Sequence, residues 1–79
     1  MTNTSIIIYA EPPRFDSGRY ESRVTAVEET RTNRRIIRGG MVQEETRNAA
    51  LQAIDALAAD MSARYGVDPV YVDGDWARD

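Results

Sequence analysis

Neither cysteine nor histidine occurs anywhere in this 79-residue sequence, and lysine is missing as well. Without thiols there are no disulfides and no thiol chemistry. Without imidazole there is no Cys/His zinc site and no catalytic arrangement built on histidine. A chain this short lies near the lower limit of what folds without such staples, so packing alone must hold it together. Aromatic residues are scarce too: one Trp, one Phe and four Tyr. The apolar run Ile6 to Ile8 is far too short for a signal-peptide core or a membrane span. A cytosolic location is therefore expected. No repeat, low-complexity run or linker interrupts the chain, and residues 1–79 read as one domain.

The charge balance is 10 basic against 13 acidic residues, a net −3. That disfavours a general affinity for nucleic acid, which needs a positive field to release counterions. All the basic residues are arginine. A GC-rich coding sequence would produce this without any functional reason. The functional reading is that arginine suits protein interfaces, where its planar head forms bidentate pairs.

The chain is organised around the stretch Thr46 to Gly66. With Ile54 as origin and 100° per residue, Ala50, Leu51, Leu57, Ala58, Met61 and Tyr65 fall within about 60° of it. Asn48, Gln52, Asp55, Ala56, Ala59, Asp60 and Ala63 take the opposite side. This pattern predicts an amphipathic helix with Thr46 as N-cap and Gly66 as the left-handed residue after its last turn; Pro69 blocks continuation. One apolar stripe needs one apolar surface, and the other strong segments read as strands.

Ser5 to Ala10 is continuous and β-branched, a strand buried on at least one side. Pro12 and Pro13 end it, and Arg14 to Gly18 reads as a loop with a turn signal. Arg19 to Thr30 alternates, with Tyr20, Ser22, Val24 and Ala26 inward and Arg19, Glu21, Arg23, Thr25 and Val27 outward. Asn33 marks a turn that tolerates a left-handed conformation. In Arg34 to Gln43, placing Arg38 in water sends Ile36, Gly40 and Val42 outward and leaves Ile37, Gly39 and Met41 inward. The pair Gly39-Gly40 suggests a bulge or a close approach by the helix. Pro69 to Asp73 is a short last strand. The expected fold is α+β: a small antiparallel sheet in the order β-β-β-α-β with one long helix on one face. The other face is left open, with Arg19, Arg23, Ile36 and Arg38 among its residues.

No catalytic motif is present. Asp68, Asp73, Asp75 and Asp79 form an acidic end, but Asp73-Gly74-Asp75 continues into Trp76, Ala77 and Arg78, which fails the calcium-loop pattern. Glu28-Glu29 and Glu44-Glu45 are adjacent pairs at element ends, whereas catalytic carboxylates converge from separate elements. Glu28, Glu29, Glu44, Glu45, Asp73 and Asp75 could instead imitate phosphates and occupy a partner's basic channel. Trp76 is expected to fold back on the core, with a partner anchor as the alternative.

Ile8-Tyr9-Ala10-Glu11 is similar to the I-Y-T-D that ends the first strand of ribonuclease H domains. Leu51 to Leu57 is similar to the Ala-rich start of that family's first helix, and the order β-β-β-α-β is shared. Its catalytic Asp falls on Glu11, its helical Glu on Ala49, and only Asp73 matches an acid of the fourth strand. The resemblance thus implies a shared layout and no two-metal nuclease, which needs several converging carboxylates.

The whole chain also resembles small phage-encoded anti-CRISPR proteins, those of the type I-C systems nearest. The likeness rests on the size, the acidic Arg-only composition without Cys, and the short sheet with one helix (Ser5–Ala10, Arg19–Thr30, Arg34–Gln43, Thr46–Tyr65). It implies a stoichiometric protein binder, without cofactor or direct nucleic-acid contact. Such a binder blocks target-DNA recognition by a type I effector complex, commonly at its large subunit, in the bacterial cytoplasm. The alternative is a small regulatory or toxin–antitoxin-like module that homodimerises through its open sheet face.

Overall fold

A computed structural model describes residues 4–74 and 76. Asp75 and Asp79, from the acidic end, lie outside the described residues, as do Met1 to Asn3, Ala77 and Arg78. The fold is α+β. Its strands are β1 (Ser5–Ala10), β2 (Arg14–Asp16), β3 (Arg19–Glu29), β4 (Arg34–Glu44) and β5 (Pro69–Tyr71), with one helix, α1 (Arg47–Tyr65), before β5. None of the described helical residues forms a span long and apolar enough to cross a membrane.

The helix forms where the periodicity places it. The Thr46 hydroxyl accepts from the Ala49 N–H at 3.1 Å, and Gly66 adopts φ 71°. The Gly66 N–H then donates to the Ser62 carbonyl at 2.8 Å and closes the last turn. Ala50, Ile54, Ala58 and Met61 are buried, while Leu57 and Tyr65 pack at the margin. They meet Ile8, Ala10, Val24, Ala26 and Val42, so the core lies between α1 and one face of the sheet. Trp76 folds back as expected. Its indole N–H donates to the Val72 carbonyl at 2.6 Å, and its ring meets Tyr71 edge-on.

Three features correct the sequence expectation. First, Arg14 to Asp16 is a strand: Phe15 pairs with Tyr20, and the turn at Ser17-Gly18 has φ of 53° and 83°. Positive φ at both central residues matches the twist of a tight hairpin, so the expected loop is paired strand and turn. Second, the sheet is mixed. β1 pairs antiparallel with β3 but parallel with β5, because α1 carries the chain across the face before β5 joins. β1 and β2 follow one another along one edge of β3, and β4 occupies its other edge.

Third, β4 contains a bulge. Val27 pairs with Ile36 and Ala26 with Arg38, so Ile37 is an extra residue on β4. One inserted residue reverses the alternation beyond it. Val42, expected outward, is therefore in the core, and Gly40 faces the helix. Met41, expected inward, is 64% exposed on the far side. Arg38 lies opposite Ala26, on the helix side, and is parted from Ile36. Val27, expected in water, is 6% exposed. Asn33 has no left-handed φ; its side-chain carbonyl accepts from the Arg34 N–H at 3.0 Å instead.

Candidate partner-binding surface

The sheet face away from α1 is covered by no described element. Residues opposite one another across a sheet share a face, so the register maps it. Ile7, Val27 and Ile36 form one row; Val70, Tyr9, Thr25 and Gly39 form the next; Arg23 and Met41 follow. Of the four exposed large apolar side chains among the described residues, Ile36 (70%), Met41 (64%) and Val70 (47%) stand on this face. The fourth, Phe15, stacks edge-on with Tyr20 on the helix side of the β2–β3 hairpin.

Charges frame the apolar rows. At one end, the Arg34 guanidinium lies 5.3 Å from the Tyr9 ring centroid and donates to the Tyr9 hydroxyl at 2.9 Å. Arg34 also pairs with Glu29 at 3.1 Å. At the other end, the Gln43 amide donates to Glu21 at 3.3 Å. The result is an apolar strip with arginine and glutamate at its rim, the arrangement of protein interfaces.

The acidic residues singled out in the sequence do not form one field. Glu28 and Glu29 sit at one end of β3, paired with Arg35 and Arg34, both at 3.1 Å. Glu44 sits opposite Tyr20. At about 3.3 Å per residue that is about 30 Å from Glu29. Glu44 and Glu45 line a shallow cleft together with Arg19, so a cation stands in the same cleft as these acids. Asp73, with φ 64°, lines a separate groove with Glu11, Arg14 and Arg23. Glu11 and Asp73 thus come to one groove, but among the described residues no three acidic groups are placed to hold a metal ion.

Of the open-face set, Arg19, Arg23 and Ile36 share the uncovered face by register, and Arg38 does not. Sequence reasoning missed Met41, Val70 and the Arg34–Tyr9 contact. The bulge hid Met41. Val70 could have been found, because it alternates with Pro69 and Tyr71 in a strand whose other side meets the helix. One perturbed group lies outside this surface. Burial, then the hydrogen bond and the charge of Asp55, push the Tyr71 hydroxyl above its ordinary value. The Tyr71 O–H donates to Asp55 at 2.8 Å. Compared with known proteins, the chain matches no family model, and no curated protein or solved structure matches it.

Proposed function

We propose that this protein is a binding module without enzymatic activity, which acts by seating its open sheet face on a larger protein. The observation that carries the reading is the uncovered apolar strip of Ile36, Met41 and Val70 with its charged rim. Three large apolar side chains on one face of so small a domain are what an interface core requires. The partner proposed is a type I CRISPR effector complex, where the module would block target-DNA recognition sterically, in the bacterial cytoplasm. That partner comes from the family resemblance alone. The uncovered strip favours contact through the sheet over imitation of DNA, since Glu28 and Glu29 are already paired with arginines.

A DNA-binding assay with purified type I complexes tests this. Adding the protein in stoichiometric amounts should abolish target-DNA binding, and the two should co-purify. If the protein leaves DNA binding unchanged with every type I complex tried, the inhibitor reading fails. A homodimeric regulatory module is then the better account, a reading favoured by the long edge of β4 that no described strand pairs with.

A further inference from the structure

We propose that two copies of this chain pair through the outer edges of β4, antiparallel, about a two-fold axis at Met41. One edge of β4 is used by β3, and among the described residues no strand pairs with the other. Unpaired N–H and C=O groups along an edge are a template for another strand. The regular part of that edge is Arg38 to Glu44, which pairs with β3 without a shift; registers reaching back to Ile36 run into the bulge.

The side chains on this stretch complement their own reverse. Centred on Met41, self-pairing sets Arg38 opposite Glu44, Gly39 opposite Gln43, Gly40 opposite Val42, and Met41 opposite its own copy. Every pair keeps both members on the same face, as an antiparallel ladder requires. The two-fold axis makes the Arg38–Glu44 pair twice. Among the described residues neither side chain has a hydrogen-bond or ion-pair partner, whereas Arg34 and Arg35 are held by Glu29 and Glu28. An arginine on an edge repels most strands; here it admits one that presents an acid at the matching position, and this chain does so.

Apolar surface is available at the same place. Ala53, Ala56 and Leu57 line a groove between this edge and α1, over the buried Val42 and with Asp60 at its side. The axis would lay the same groove of the partner beside it, and the alanines let the helices approach. The inference holds whether or not a larger protein is also bound, because the sheet face and the strand edge are different surfaces.

Charge swaps and a single cysteine test it. Analytical ultracentrifugation should show a monomer–dimer equilibrium for the wild type. Arg38→Glu and Glu44→Arg should each weaken the dimer by about tenfold or more with unchanged circular dichroism. Mixing the two variants should restore a dimer, since Glu then faces Arg at every pair. Directly opposite residues are about 4.5–5.5 Å apart at Cα, within disulfide range. Because the chain has no other thiol, Met41→Cys should oxidise to a linked dimer much faster than Val70→Cys. A wild type that stays monomeric to about 1 mM, a dimer indifferent to both reversals, or faster linking through Val70→Cys would each overturn the proposal.

Discussion

Replacing Gly40 by alanine tests how α1 sits on the sheet. A Cβ at Gly40 would lie 2.5 Å from one methyl of Leu57 and 3.1 Å from the other. Carbon atoms in good contact are about 3.5–4.0 Å apart, so Leu57 must turn away. Moving it off its rotamer costs about 0.5–1.5 kcal/mol, and overpacking costs about 1–3 kcal/mol where the surroundings cannot give. Leu57 is at the margin of the core, which places the penalty toward the lower part of that range. Against it stands the gain of about 0.4–1 kcal/mol from a less flexible unfolded chain. The net expectation for Gly40→Ala is a loss of about 1 kcal/mol. At Gly39 nothing lies within 4 Å of the added atom. Gly39→Ala should therefore be neutral or stabilising by up to about 1 kcal/mol. Urea unfolding of both variants, repeated in a Leu57→Ala background, separates the terms: without Leu57 the Gly40 penalty should vanish. Equal stabilities for the two alanine variants, or a Gly40 penalty that survives Leu57→Ala, would refute this packing.

Ile54→Ala should cost about 2–5 kcal/mol, and Leu57→Ala clearly less, because Ile54 is buried and Leu57 only partly so. Melting curves of the pair check the order. Tyr71→Phe and Asp55→Ala each break the bond between the strand and the helix, and each should cost about 1 kcal/mol in urea unfolding. The outer helix face is thus not uniformly dispensable. Folding raises the Tyr71 value, so the neutral phenol is the form the fold favours. Its contribution is complete below the unfolded value of about 10 and is lost as pH rises through the folded one. Wild-type stability should consequently fall more steeply on the alkaline side than that of Tyr71→Phe.

The helix was legible to the residue at both caps, because Thr46, Gly66 and the Ile54 stripe act locally. The same holds for β1, whose Pro12-Pro13 stop is a backbone property, and for the inward face of β3. What escaped depends on pairing between distant residues. Nothing in Ile36-Ile37-Arg38 announces that Ile37 is unmatched opposite Ala26 and Val27, yet that one residue exchanges the faces of Met41 and Val42. Gly39-Gly40 did signal the close approach, though only Gly40 makes it. Arg14 to Asp16 is too short for periodicity; its pairing is set by the Ser17-Gly18 turn. For the candidate surface the sequence correctly kept one face open. It could not show that Arg34 and Arg35 pair with Glu29 and Glu28, which removes those acids from a common field.

The most direct measurement is a competition titration of target DNA on a type I effector complex, with surface variants of the protein. Arg23→Glu, Ile36→Asp and Val70→Asp, all on the open face, should weaken inhibition at least about tenfold while remaining folded. Glu28→Gln with Glu29→Gln should inhibit like the wild type. Full inhibition by the face variants, together with loss of inhibition when the paired acids are neutralised, would contradict contact through the sheet.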